Sequence, residues 1–234
     1  PKEARLPVVH SQEILEALRR FSDVPRRLAD LGSEYFCTEH FHETNQFKDG
    51  TIRRDTRFPK STHEWVVSGP HFYVGTPFNK TPNKGCTNNK DYSVNDLTDI
   101  AEDYLPRTNY VPACGRTEYI ARTPQWQQRP VTDFYRHAHR EMVGPTNERT
   151  LISSILPPGA AHVHTVFSIS FSSEAQLLDF SGITQTTVAD FFVKSTGMGH
   201  VNRTLAEQLP CAVGSTVPMI RSRTLQLNCL TNHY

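Results

Sequence analysis

Thr150-Leu-Ile-Ser-Ser-Ile-Leu156, Pro157-Pro158-Gly159 and Val163-His-Thr-Val-Phe-Ser-Ile-Ser-Phe171 read in order as strand, turn and strand. β-Branched and aromatic residues fill both runs, and the Pro-Pro-Gly between them punctuates the chain. Together they are expected to form the core of a sheet. Downstream the apolar period lengthens to that of a helix. Ser173 is placed to cap a helix over 174–179, and 186–196 carries Val188, Phe191 and Phe192 on a second, which Gly197 and Gly199 stop. Leu205 and Leu209, followed by Pro210, predict a last short helix. Upstream, 131–142 has Phe134, His137, Ala138 and Glu141 at helical spacing, with Arg136 and Arg140 four apart on another side, which predicts a helix there too.

Nearer the start, Ser11 can cap a helix whose apolar positions are Ile14, Leu15, Leu18 and Phe21. Asp23-Val24-Pro25 breaks it, and Pro25 suits the start of a second short helix that Gly32 ends. Residues 1–33 thus read as a helical connector. From Tyr35 to Phe78, aromatic and β-branched clusters predict strands, with Asp49-Gly50 a hairpin turn and Trp65-Val66-Val67 and His71-Phe72-Tyr73-Val74 buried strands. The Asn-, Pro- and Lys-rich stretch 76–89 predicts a long surface loop. Asp91, Asp96, Asp99, Glu102 and Asp103 then predict a solvated acidic turn or short helix. The expected fold class is α/β (α+β): a mixed, largely antiparallel sheet with helices packed on it, preceded by the connector.

The 234 residues suffice for a core that buries roughly 70–75% of the unfolded surface. Lys and Arg number 25 against 24 Asp and Glu, so no global excess of charge points to nucleic acid or to an anionic membrane. With 37% hydrophobic and 21% charged residues the chain is too apolar for disorder. The longest uncharged stretch, 150–173, holds Pro157, Pro158, Gly159, His162 and His164, which argues against a membrane span. Five cysteines without a CxxC pair suit a reducing cytoplasm better than a disulfide scaffold. The chain starts at Pro1 and stops just after the apolar run 225–230, so it is expected to be a piece of a longer protein, with 211–234 the start of a following element.

No catalytic constellation emerges. Cys37, His40 and His42 are close enough in sequence to share a zinc ion, and His162 and His164 would project from the same face of a strand, but eleven histidines make such pairs common. They read as structural or exposed histidines. There is no G-x-S-x-G elbow, no Asp…Glu-x-Lys nuclease pattern, and Gly197-Met-Gly199 reads as a helix end. Local basicity is more informative. Lys48 to Lys60 holds Arg53, Arg54 and Arg57; Asn79 to Lys90 holds Lys80, Lys84 and Lys90 with Asn88 and Asn89 and no acid. A third stretch, Arg107 to Arg149, interleaves Arg116 and Arg122 with Gln125 and aromatic residues. Lysine and arginine suit phosphates, and Asn, Gln and Arg suit base edges in the major groove.

Residues 72–114, FYVGTPFNKTPNKGCTNNKDYSVNDLTDIAEDYLPRTNYVPAC, then NERTLISSILPPGAAHVHTVFS at 147–168, NRTLAEQLP at 202–210 and LQLNCLTNHY at 225–234, carry a family resemblance. In that order and spacing they resemble the target-recognition region of large bacterial adenine-specific DNA methyltransferases of type IIG-like restriction-modification and phage-defence systems. The resemblance implies a duplex-DNA reading domain over 34–210, partnered by a catalytic domain of the same polypeptide that would methylate adenine N6 with S-adenosylmethionine. An Asn-Pro-Pro-Tyr type motif and a Gly-rich cofactor loop would belong to that domain. Neither stands in this chain: Leu156 precedes its only Pro-Pro pair, and Thr76-Pro77-Phe78 lacks the Asn and the second Pro. The stretch is therefore expected to be catalytically silent and without a cofactor of its own. Its expected DNA contacts are Lys80, Lys84, Asn88, Asn89 and Lys90 on one loop, then Arg53, Arg54 and Arg57, then Arg116, Arg122 and Gln125. A metal-dependent nuclease or hydrolase domain, or a protein-interaction module, is the alternative.

Overall fold

The computed structural model describes residues 11–72, 75–144 and 146–234. Its strands are β1 (Tyr35–Thr38), β2 (Ile52–Arg57), β3 (Val66–Val67), β4 (Lys80–Pro82), β5 (Tyr92–Val94), β6 (Thr108–Pro112), β7 (Gln125–Trp126), β8 (Arg129–Pro130), β9 (Arg136–Arg140), β10 (Ser153–Leu156), β11 (Ala161–His162) and β12 (Val166–Phe171). The α-helices are α1 (Gln12–Ser22), α2 (Glu43–Lys48), α3 (Arg116–Arg122), α4 (Glu174–Thr184), α5 (Thr187–Ser195), α6 (Arg203–Ala206) and α7 (Val217–Asn228). The architecture is a mixed α/β fold with a four-stranded antiparallel sheet in the order β1-β12-β9-β10 and small two-stranded ribbons beside it.

The two decisive runs do enter one sheet as β10 and β12, but they are not neighbours. Arg136–Arg140 lies between them as β9, where a helix was expected. Ala138 faces Ser154 on one side and Ser168 on the other. The helical spacing of Phe134, His137, Ala138 and Glu141 is real, yet the strand wins because both of its edges are hydrogen-bonded and both of its faces are buried. A strand covered on two sides loses the polar alternation by which strands are ordinarily recognised.

Opposite faces of the sheet carry separate cores. Leu151, Ile155, Phe167, Ile169 and Phe171 pack beneath α4, α5 and α6, against Phe180, Val193 and Leu205. Ala138, Ile152, Leu156 and Val166 pack on the other side with Trp65, Phe72 and Phe78. On the helical side, His139 Nε2 lies 2.8 Å from the Val201 carbonyl, so it must donate there. Its Nδ1 then accepts from His137 Nε2 at 3.2 Å, and His137 Nδ1 accepts from the Ser181 hydroxyl at 3.1 Å. One chain of bonds thus ties β9 to α4 and to the segment before α6.

Both flanking segments pack on this same sheet. Ser11 caps α1 as expected, and Phe21 of α1 packs against Phe192 of α5, the tilted rings 5.2 Å apart. Pairing of Leu28 N–H with Leu209 O and of Cys211 N–H with Arg26 O stitches the early turn to the late chain. The C-terminal helix α7 lies on α4, held by the bidentate Arg221–Asp179 pair at 2.7 and 2.8 Å. Asn228 Oδ1 accepts the Ile155 N–H at 2.9 Å, and the Tyr234 hydroxyl donates to Ile155 O at 2.7 Å, so the outer edge of β10 is closed by side chains.

Asp49-Gly50 is a helix end rather than a hairpin turn. Thr51 N–H reaches back to Gln46 O at 2.9 Å and Gly50 N–H to Phe47 O at 3.4 Å, the Schellman pattern with Gly50 at φ 74°. Phe47 accordingly belongs to α2. Strand β3 forms over Val66–Val67 and pairs in parallel with β11. His71 closes a 3₁₀ turn, and Tyr73 and Val74 of the strand expected there lie outside the described residues, as do residues 1–10 of the connector.

The Pro-Pro-Gly turn demands its glycine: at φ 89°, a Cβ on Gly159 would lie 2.4 Å from Thr62 Oγ1 and 3.0 Å from His63 Nδ1. Gly50 shares the positive φ but has nothing within 4 Å. Gly159→Ala should therefore destabilise by about 2–5 kcal/mol and Gly50→Ala by only about 1–2 kcal/mol, read as shifts in denaturant midpoint.

Burial also fixes a pH response. It lowers the affinity for protons of His40, His71, His137, His139 and His162, taking His139 down to about 4 and His162 to about 3. Unfolded histidines titrate near 6.5, so below that pH the unfolded chain binds protons that the folded chain refuses. Stability should fall as pH drops from 7.5 to 5.5, with the slope of unfolding free energy against pH steepening through 6.5 towards one proton for each histidine that stays neutral in the folded chain. A flat profile in denaturant titrations would contradict these environments.

Candidate nucleic-acid interface

Strands β4 and β5 form a hairpin in which Lys80 pairs with Val94 and Pro82 with Tyr92. The surface loop expected over 76–89 is thus shorter than its composition implies. Thr76, Phe78, Thr81 and Pro82 are buried, and the exposed part is 83–90 apart from the buried Cys86. That part is folded by Asp91. Its carboxylate accepts from Thr87 N–H and Oγ1 at 3.0 Å each, from Asn88 N–H at 3.2 Å and from Asn88 Nδ2 at 2.8 Å. These donors hold its carboxyl below the usual aspartate range. Asn83 N–H pairs with Asp91 O and Cys86 N–H with Asn83 O, both at 2.9 Å.

A polar floor supports the loop. Asn109 Nδ2 donates to Tyr92 Oη at 2.8 Å and meets Cys86 Sγ at 3.4 Å, while Tyr92 Oη also bonds Ser68 Oγ at 3.1 Å. Arg54, on β2, donates to Cys86 O at 2.9 Å. Since β2 pairs with β6, which carries Asn109, the loop and the first arginine cluster form one surface.

The expected contact residues divide by what their side chains already do. Asn88 is committed to the loop, with Nδ2 on Asp91 and Oδ1 accepting Lys90 N–H at 2.8 Å. Arg57 pairs with Glu64 at 2.9 Å and Asp55 at 3.1 Å. Arg122 reaches Asp49 O at 2.7 Å, Thr51 Oγ1 at 2.9 Å and Glu118 at 2.5 Å, fastening α3 to the end of α2. Gln125 Nε2 caps α3 through the carbonyls of Ile120 and Thr123. Arg116 is exposed, 3.4 Å from His63 Nε2, and Arg53 is exposed with long contacts to Pro112 O at 3.4 Å and Asp55 at 3.5 Å. Lys80 lies half-buried on β4. Lys84, Asn89 and Lys90 remain, exposed on the loop with no side-chain bond.

The zinc trio considered from sequence is not brought together. Cys37 packs with the helical-side core, where burial pushes its thiol up to about 12, whereas His40 turns to the other face beside Arg136. His162 bonds Ser168 at 2.7 Å, and His164 stacks on His42 at 4.7 Å. Among the described residues no group of three or more His, Cys, Asp or Glu could hold a metal ion, and no helix is long and apolar enough to cross a membrane.

Sequence reasoning passed over Asp91, treating the loop as acid-free to Lys90 and the acids after it as solvated. The Asn88-x-x-Asp91 spacing was the available signal, since Asx side chains bond their own backbone in turns. No known protein family matches the chain, and no curated protein matches it.

Removing the Asp91 carboxylate should free the loop without touching either core. In Asp91→Ala, amide exchange at Thr87 and Asn88 should accelerate about tenfold or more while the melting temperature stays close to that of the parent. Unchanged exchange would show that the loop is held by other means.

Proposed function

We propose that this chain is a sequence-specific duplex-DNA recognition module of an adenine-N6 DNA methyltransferase of restriction-modification or phage defence, acting in the cytoplasm. The observation that carries the reading is the 83–91 loop. Its only carboxylate, Asp91, is turned inward to bond Thr87 and Asn88, and Lys84, Asn89 and Lys90 are left outward and unpaired. The family resemblance of the surrounding sequence supplies the remainder.

In this reading Lys84 and Lys90 take phosphates and Asn89 takes a base edge, with Arg53 and Arg116 as flanking cations. Arg54, Arg57, Arg122, Gln125 and Asn88 act through the scaffold, to which each is already hydrogen-bonded. Methyl transfer, S-adenosylmethionine and the flipped adenine belong to the catalytic domain of the parent polypeptide, the second partner beside DNA. Gly197, the first residue of the only Gly-x-Gly, sits at φ 63° just after α5 as a helix terminator. No cofactor step is therefore assigned to this chain.

Selection from a random duplex pool at several salt concentrations tests the reading. The 234-residue chain should retain DNA in a salt-sensitive way and enrich a short motif. Lys84→Ala and Lys90→Ala should each lower affinity for all sequences and flatten the log–log salt slope by about one, whereas Asn89→Ala should relax preference at one position by about 1–3 kcal/mol. Absence of DNA binding at low salt would overturn the proposal and favour the protein-interaction module.

A further inference from the structure

The four-stranded sheet treats its two edges differently. The outer edge of β10 is closed by Asn228 and Tyr234, whereas among the described residues no strand pairs with β1 on the side away from β12. Register tells which groups that side carries. Ser172 N–H bonds Glu34 O at 2.8 Å, and Tyr35, Phe36, Cys37 and Thr38 stand opposite Phe171, Ser170, Ile169 and Ser168. In an antiparallel pair alternate residues exchange the ladder bonds, so Phe36 and Thr38 turn their N–H and C=O groups to β12, and Tyr35 and Cys37 turn theirs outward. Those outward groups have no hydrogen-bond partner among the described residues.

β1 lacks the devices that ordinarily blunt an edge: no proline, no lysine and no bulge interrupts its four residues. Tyr35 and Cys37 pack into the helical-side core, so Phe36 points to the other face. There it stacks on Trp126 at 6.3 Å with the ring planes 14° apart, and Trp126 packs against Phe134 at 5.2 Å. All three rings are half-buried. A strand laid beside β1 would set every second side chain against this aromatic shelf.

The uncompensated charge around this edge is acidic. Glu34 and Glu39 bracket β1, both exposed; Glu34 accepts from the neutral Gln176 amide at 2.6 Å, and neither forms an ion pair among the described residues. The cations beside the rings are already paired: Arg203, over Tyr35, with Glu207 at 2.7 Å, and Arg129, over Phe134, with Asp133 at 3.8 Å. A second copy laid antiparallel on β1 would bring Glu34 of each chain beside Glu39 of the other, and like charges at that range repel. We propose that β1 is a docking edge for an extended segment of a partner protein, apolar at alternate positions and basic at both ends, which joins the sheet as a fifth strand. The proposal does not rest on the DNA-recognition reading.

The test is amide hydrogen exchange of the full chain with two capped peptides, Lys-Thr-Val-Thr-Val-Thr-Val-Lys and the same sequence with Glu at both ends. In the free chain Tyr35 and Cys37 should exchange faster than Phe36 and Thr38. The Lys-ended peptide at millimolar concentration should slow Tyr35 and Cys37 about tenfold and leave Phe36 and Thr38 unchanged, an alternation that only pairing along β1 produces. Cys37→Pro removes one outward donor without touching the bonds to β12 and should abolish the response. Should it not fold, the exposed pair Glu34→Lys and Glu39→Lys should transfer the response to the Glu-ended peptide. Slowing without the alternation, an equal response of the parent to both peptides, no response to the Lys-ended one, or a variant that responds as the parent does would each overturn the proposal. So would alternating protection in the peptide-free chain that rises with protein concentration, the mark of a second copy on the edge.

Discussion

A strand buried on both faces that carries Arg136, His137 and His139 sets the terms for everything packed around it. Apolar side chains at these positions would tolerate any oily cover, but each imidazole and guanidinium needs a partner at a defined place. The Val201 carbonyl and the Ser181 hydroxyl supply those places on the helical side, which fixes the seat of α4 and of the chain leading into α6. On the opposite side the Ala160 carbonyl meets the guanidinium, so the Pro-Pro-Gly turn that delivers Ala160 must close tightly at Gly159. Packing alone leaves a sheet free to slide; directional partners at its centre do not.

The outer edge of β10 is handled in the same manner. Asn228 serves at once the Ile155 N–H, the Ser154 hydroxyl and Gln185, while its own amide bonds Thr224 O within α7. At the start of the strand Asp190 accepts the N–H groups of Thr150 and Leu151 at 2.7 and 2.6 Å. α7 consequently turns polar residues, Thr224 and Asn228, inward, and leaves Met219, Leu225 and Leu227 exposed. That inversion explains why no amphipathic helix was legible over 217–228: the sequence pattern of an inward apolar stripe is absent because the inward work is hydrogen bonding.

Elements governed by local rules were readable. Ser11 and Ser173 cap the helices that follow them, Gly197 ends α5, and the runs 150–156 and 163–171 hold β10 and β12, although 163–165 lie before β12 begins. Elements governed by distant partners were not. β9 was mistaken for a helix because its residues look polar until the covering layers are known, and Asp49-Gly50 was mistaken for a hairpin turn because that dipeptide serves a Schellman end equally well.

The basic stretches show the same division at finer scale. Composition counts Arg57 and Arg122 equally with Lys84 and Lys90, but an arginine near carboxylates and free carbonyls is drawn into them by its planar, five-donor head, as Arg57 is by Glu64 and Arg122 by Glu118 and Asp49. A lysine on a loop whose one acid is already saturated by four donors has no such competitor. Local charge therefore survives at 84–90, at Arg53 and at Arg116, and is spent at Arg57 and Arg122. A nearly neutral chain can present a cationic edge without any excess of basic residues, provided that its acids are the better-bonded partners.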